Sequence, residues 1–318
     1  MSIEIQKNIP LSKHTTFKIG GQAKFFCVIG NINEIQGALE YAKENKLAVF
    51  VLGGGSNILV LDKGFDGLVI KIQDTRCEIQ TSDKIFVGTG LSLAKVVSES
   101  VKNNLTGLEW VAGIPGTVGG AICNNTGAHG KSMEDIVEEM EVIELFNYDK
   151  GIWVVKKLIN QECNFSYRSS VFKKEKKYIV LSAILKLKKG DEAESRKIVA
   201  EYLKIRREKQ PLEYPSAGSV FKNPKIEDLV LKKIFIEYPE LEKIVKDNIV
   251  PVGWFIEMLG LKGKKIGGAM ISEKHGNFIV NTGDAKAEDV IILISLIKQK
   301  VRDRFGVQLH EEIEYVGF

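Results

Sequence analysis

Several short stretches of this 318-residue sequence combine residue types that could do chemistry. Gly53-Gly54-Gly55-Ser56-Asn57 offers successive backbone N–H groups free of side-chain bulk, then a hydroxyl and an amide. Such a nest can cradle a pyrophosphate, and a plain tight turn would use the same residues. Gly113-Ile114-Pro115-Gly116-Thr117-Val118-Gly119-Gly120 opens onto a helical pattern, where free N–H groups and the helix dipole favour an anion; a closely packed turn is the other reading. Its continuation, Ala121 to Gly127, includes Asn125 and adds amides that could meet the edge of a heteroaromatic ring. Arg168, in Tyr167-Arg168-Ser169-Ser170, presents a rigid, permanently charged fork suited to a carboxylate or a developing enolate oxygen, or to an ordinary surface salt bridge. Ser219-Val220-Phe221-Lys222-Asn223 brings hydroxyl, ammonium and amide together in five residues, in a site or in a polar turn. If extended, it places Ser219, Phe221 and Asn223 on one face and Lys222 on the other. Near the end of the chain, alternation sets Glu312 opposite Leu309 and Ile313, either as a solvated acid or as a carboxylate carried into a cleft.

Other chemistries lack their residues. His14, His129, His275 and His310 show no metal-ligand spacing, H-E-x-x-H is missing, and Cys27, Cys77, Cys123 and Cys163 form no C-x-x-C pair. No metal is therefore expected. There is no G-x-S-x-G elbow for a hydrolase. The net charge of +4 is small and spread out, so the lysine-rich runs at 173–177 and 262–265 read as solvated surface rather than as a nucleic-acid contact. The longest apolar run, beginning at Val290, is far short of a bilayer span, and the first ten residues carry no secretory pattern. A cytoplasmic chain, with reduced thiols and acting as a monomer, is the expectation.

The elements that must position these groups follow from pattern. Length predicts two or three domains. Asn31 and Glu34 form a capping-box pair ahead of a helix with Ile35, Ala38, Leu39 and Ala42 inward. The apolar run 47–52 reads as a strand buried on both faces, so the glycines at 53–55 lie between that strand and Ile58-Leu59-Val60. A Rossmann fingerprint needs glycines leading from strand into helix, which disfavours that fold here. A second unit begins near Leu68 and includes a helix capped by Ser92, a hairpin over 138–155 turning at Asn147 to Gly151, and a strand from Tyr178. A charged helix over 192–209 acts as a connector before the proline-punctuated start of a third domain. That domain holds helices near 251–259 and 286–305, with a short strand near 277–280.

Taken in order, HTTFKIGG at His14 to Gly21, LGGGSNILV at Leu52 to Val60, GIPGTVGGAICNNTGAHG at Gly113 to Gly130 and YRSS at Tyr167 to Ser170 resemble the UDP-N-acetylenolpyruvoylglucosamine reductase family. AGSVFKNP at Ala217 to Pro224, GWFIE at Gly253 to Glu257, LKGKKIGGA at Leu261 to Ala269 and LHEEI at Leu309 to Ile313 extend the resemblance over nearly the whole chain. It implies an α+β fold: a two-lobed FAD-binding domain of the vanillyl-alcohol oxidase-like type and a C-terminal α+β substrate-binding domain. The expected boundaries are 1–70 for the first lobe, joined by a returning strand at 307–318, 71–205 for the second, and 206–306 for the substrate domain.

The resemblance also implies roles. FAD would lie against Gly53, Gly54, Gly55, Ser56 and Asn57, and against Gly113, Ile114, Pro115, Gly116, Thr117, Gly119, Gly120, Ala121, Asn125 and Gly127. NADPH would reduce it, and UDP-N-acetylglucosamine enolpyruvate would then accept the hydride in peptidoglycan precursor synthesis. Arg168 would stabilise the enolate, Ser219 donate the proton and Glu312 assist. Lys222 and Asn223 fall where the family holds substrate and nicotinamide. The short distance from Arg168 to the next strand indicates the subtype without a tyrosine-bearing insertion, with Tyr214 and His275 as local candidates for the replaced contact. Another FAD-dependent oxidase or dehydrogenase of the same fold would share the glycines but has no reason to carry both YRSS and GSVFKNP. A precursor-binding protein without turnover would lack one of Arg168, Ser219 and Glu312.

Overall fold

The computed structural model describes residues 3–147 and 151–318. The chain separates into two compact units, Met1–Ile9 with Ala23–Gly54 and Phe65–Glu208, and Pro10–Gln22 with Gly55–Gly64 and Lys209–Phe318.

The first unit holds two sheets. One has the strand order Gln6–Pro10, Gln22–Ile29, Phe65–Ile72, Ala48–Leu52, and its last three strands are parallel. The helix Ile32–Glu44 makes the crossover and buries Ile35, Ala38, Leu39 and Ala42 in a core with Cys27, Leu68 and Ile70. Asn31 caps it by accepting from the Glu34 N–H at 3.1 Å. The returning half of the box lands one residue early, because the Gly30 N–H reaches the Glu34 carboxylate at 2.7 Å. Two expectations change here. Ala48–Leu52 is an edge strand and only Leu52 is fully buried, and Phe65–Ile72 is a central strand of this sheet rather than the start of a second unit. A run of apolar residues does not say how many neighbours a strand has.

The other sheet is antiparallel, in the order Ile152–Ile159, Val137–Asn147, Tyr178–Lys186, Lys84–Gly88, Cys77–Ile79. The expected turn at Tyr148 to Lys150 lies outside the described residues. Ser92 caps the helix Leu93–Lys102, which buries Leu93, Val96, Val97 and Val101. The charged helix Glu192–Lys209 is tied to the same unit by the Ser195 hydroxyl, which donates to the buried Glu109 carboxylate at 2.7 Å. Burial works to raise the Glu109 pKa, yet hydrogen bonds from Thr106, Ser195 and the Gly107 N–H outweigh it and hold the carboxyl below its ordinary range. The run at 173–177 is less free than its composition suggests: Lys173 donates to Asn124 at 2.7 Å and Lys177 pairs with Glu175 at 2.6 Å.

The second unit is built on the antiparallel order Ser216–Ser219, Phe278–Asn281, Ala269–Ile271, Lys265–Ile266. The helix Ala287–Phe305 lays Val290, Leu293, Ile294, Ile297 and Val301 into the core and stops at Gly306, whose φ of 68° suits glycine. Asp62 caps its other end, accepting from the Ala287 N–H at 3.0 Å. The last strand, Glu314–Val316, pairs in parallel with Ile58–Val60, as a returning chain end requires. That pairing, the Asp62 cap and a 2.7 Å bond from the Thr16 hydroxyl to the Ser216 carbonyl place 10–22 and 55–64 with the C-terminal residues, so the boundary at residue 70 does not describe the compact units. The helix Asp228–Glu237 carries no clear periodic signal because Leu229 and Ile236 are exposed. No helix among the described residues is long and apolar enough to cross a membrane, and no cluster of His, Cys, Asp or Glu among them could hold a metal.

Candidate active site

In the first unit the two glycine-rich segments lie against one another. A Cβ on Gly53 would stand 2.7 Å from the Thr117 hydroxyl, and one on Gly54 would stand 2.6 Å from Gly116 Cα. Gly113 and Gly116 have φ of 76° and 123°, which L side chains rarely adopt. Thr117 caps the short helix Val118–Cys123. The helix's opening amides are engaged: Val118 N–H donates to Leu91 O at 2.9 Å, Gly119 N–H to Thr89 O at 3.0 Å, and Gly120 N–H to the Thr117 hydroxyl. The expectation of free N–H groups at this helix start is therefore corrected; the carbonyls of Thr89 and Leu91, in the turn after the strand Lys84–Gly88, take two of them and the Thr117 hydroxyl the third. Arg206 braces the preceding turn, donating to Ala112 O at 2.8 Å.

Arg168 sits in the left-handed region, φ 54°, on a tight turn closed by reciprocal 3.0 Å bonds between Ser166 and Ser169. Its guanidinium donates to Gly127 O at 2.7 Å and lies over the Tyr167 ring. Asn125 supports the same turn, donating to Ser166 O at 3.1 Å and accepting from the Glu134 N–H at 3.0 Å. The Asn125 amide and the Gly127 carbonyl are thus engaged in placing Arg168, a use that the sequence pattern does not reveal.

In the second unit Ser219 ends its strand opposite Phe278. Val220 and Phe221 are both buried, so the expected alternation over 219–223 breaks after Ser219. The break makes room for the chain end: Glu312 N–H donates to Val220 O at 2.7 Å and Lys222 N–H to His310 O at 2.9 Å. Ser219 and Glu312 are thereby carried on neighbouring segments. Asn57 donates to the Glu312 carbonyl through its side-chain amide at 3.1 Å. The Asn223 side chain accepts from the Val252 N–H at 3.0 Å, at the start of the helix Val252–Met258. Gly55, φ 61°, accepts the Thr16 N–H at 3.0 Å. Tyr214 is exposed. His275 is half-buried; burial chiefly, with Lys262 adding, lowers its pKa, so the ring is neutral near pH 7. Its Nδ1 accepts the Asn277 N–H at 3.2 Å, which leaves the proton on Nε2.

Residues 210–316 match the C-terminal domain of UDP-N-acetylenolpyruvoylglucosamine reductase, and residues 23–145 match an FAD binding domain. The UDP-N-acetylenolpyruvoylglucosamine reductase of Caldanaerobacter subterraneus subsp. tengcongensis is 42% identical over 310 residues, 98% of this chain and 93% of that one. The chain belongs to the UDP-N-acetylenolpyruvoylglucosamine reductase family. The Carboxydothermus hydrogenoformans reductase is 40% identical over 100% of this chain and 95% of its own. The crystal structure of the Thermus caldophilus reductase superposes with a TM-score of 0.76 at 32% identity, covering 99% of each chain.

As expected of this reductase family, the chain carries an FAD domain followed by a substrate domain, and FAD is its cofactor. The first unit offers a cradle of backbone that fits such a group: glycines at 53–54 and at 113, 116, 119 and 120 let two strips approach where a Cβ on Gly53 or Gly54 would collide, with the Thr117 hydroxyl at their border. Arg168 belongs to that unit, and Ser219, Lys222, Asn223, Tyr214, His275 and Glu312 to the other.

Proposed function

We propose that this chain reduces UDP-N-acetylglucosamine enolpyruvate to UDP-N-acetylmuramate with NADPH, through three of its own groups: Arg168, Ser219 and Glu312. Gly53 to Asn57 and the 113–127 stretch would hold FAD, which would supply the relay of hydride from NADPH to the vinyl carbon. Negative charge then accumulates on the neighbouring carbon and spreads into the substrate carboxylate. Arg168 bears on those oxygens as a fixed cation, which is worth most where water is excluded. Ser219 gives its hydroxyl proton to the carbanionic carbon, completing addition of hydride and proton across the double bond, and recovers a proton from solvent. Glu312 assists that protonation from the adjoining segment. Lys222 and Asn223 hold anionic and amide parts of the sugar nucleotide or nicotinamide, with Tyr214 and the Nε2–H of His275 at the substrate. One chain supplies all of these groups, so the reading requires no second copy, and its setting is the cytoplasm.

The observation that carries this reading is the joining of the Ser219 and Glu312 segments by the 2.7 Å bond from Glu312 N–H to Val220 O, in a chain of this family. Anaerobic titration of the purified protein tests it. NADPH should bleach the visible flavin absorbance, and the enolpyruvyl sugar should restore it with UDP-N-acetylmuramate formed. Protein that takes up no flavin, or that stays bleached when the sugar is added, overturns the proposal.

A further inference from the structure

The ladder between Ser216–Ser219 and Phe278–Asn281 ends at the pair Ser219 and Phe278. Beyond it the chain buries two successive side chains, Val220 and Phe221, each 1% exposed. Turning both inward takes the Phe221 backbone out of the ladder, and its N–H and carbonyl then need other partners. One side chain meets both needs. The Asn277 amide donates to Phe221 O at 2.8 Å, and its Oδ1 accepts the Phe221 N–H at 3.0 Å. The main-chain carbonyl of Asn277 also accepts the Val220 N–H at 2.8 Å. On its opposite edge the same short segment carries the chain end, through Val220 O to Glu312 N–H and Lys222 N–H to His310 O. Asn277 is buried, at 5% exposure, and both ends of its amide are engaged.

We propose that Asn277 is a positioning residue for the reduction: its buried carboxamide acts as a one-residue strand that clamps Phe221, and so fixes Ser219 and the paired Glu312 segment in one geometry. The inference rests on the assignment of Ser219 as proton donor. Only an uncharged primary amide offers a donor and an acceptor side by side here. Aspartate keeps the acceptor and loses the donor, and alanine loses both. A loosened segment shifts the hydroxyl and carboxylate together, and a displacement of about an ångström costs on the order of 100-fold in such a reaction.

The test uses the holoenzyme and separates the half-reactions. Asn277→Ala and Asn277→Asp should bind flavin and be bleached by NADPH at close to the parent rate. The maximal rate of reoxidation by the enolpyruvyl sugar should fall about 10- to 100-fold, with KM moving much less. In a Ser219→Ala background, Asn277→Ala should cost no more than about threefold further, because residues acting through one group are not additive. An unchanged rate, equal losses in both half-reactions, or a full multiplicative loss in the Ser219→Ala background would each overturn the inference. If Asn277→Ala does not fold, Asn277→Ser, which keeps a hydroxyl in the gap, takes its place in the cycle. Should Ser219→Ala alone reoxidise normally, the proton-donor assignment fails. Should it collapse while the Asn277 variants run normally, only the clamp fails.

Discussion

The carbonyl of Val220 accepts the backbone N–H of Glu312 at 2.7 Å, so a serine at 219 and a carboxylate at 312 are held in register although they lie 93 positions apart in the chain. Removing the serine hydroxyl leaves that backbone bond untouched. Ser219→Ala should therefore retain flavin and its bleaching by NADPH, while sugar-dependent recovery slows by at least about 100-fold, the usual scale of a general acid. Stopped-flow absorbance resolves the two phases, and an equal slowing of both would remove Ser219 from the role.

Arg168 presents a fork rather than a point charge, and one arm is already spent on Gly127 O. Arg168→Lys keeps the charge and loses the geometry, so it should lower the rate of the sugar half-reaction by about 10- to 100-fold, as expected when a preorganised donor is lost. The parent rate in the lysine variant would show that charge alone suffices.

Much of this was legible in the residues. Caps at Asn31 and Ser92, the glycine stop at 306 and the period of the long C-terminal helix are local signals, and the fold follows them. What escaped was set by distant partners. The Ala48–Leu52 run does not reveal that its strand lies at an edge, and Asp62 gives no local sign that it caps a helix more than 200 residues away. At the site, the candidates Arg168, Ser219 and Glu312 stood out by type and motif. Asn277 did not, because a buried amide's worth lies in the backbone it faces. Nor does the sequence around Asn57 and Asn125 show that their side-chain amides also donate to Glu312 O and Ser166 O.

The close approach of Gly54 to Gly116 can be tested through flavin content. A methyl at 54 would stand 2.6 Å from Gly116 Cα, so backbone must move. Gly54→Ala should purify with flavin largely lost, and added FAD should bind at least about tenfold more weakly, the factor that about 1.4 kcal/mol corresponds to. Full occupancy after dialysis would show that the strips can separate without harm to the cofactor site.

Asp62 accepts N–H groups from Ala287 at 3.0 Å and Glu288 at 3.4 Å, at the positive end of a 19-residue helix. Asp62→Ala should cost about 1 kcal/mol in denaturant unfolding, the common scale for an N-terminal cap. Asp62→Asn should recover most of it by keeping one acceptor. A loss confined to flavin affinity, with the unfolding midpoint unmoved, would argue against the cap.

His275 gives a pH signature with a definite sign. Burial, aided by Lys262, lowers its pKa in the folded chain, and the ring accepts the Asn277 N–H through Nδ1, a bond that only the unprotonated nitrogen can make. In the unfolded chain the imidazole titrates near its ordinary value of about 6.5. As the pH drops below that value the unfolded state takes up a proton that the folded state refuses, so stability declines toward acid; above it, the contribution is fully present. Denaturant unfolding of the parent between neutral pH and about one unit below the ordinary histidine value should therefore show a steeper acid loss than His275→Asn, whose side-chain oxygen can accept the same N–H without titrating. Parallel curves would mean that the ring gains its proton equally in both states, and a steeper loss in the asparagine variant would reverse the assigned direction.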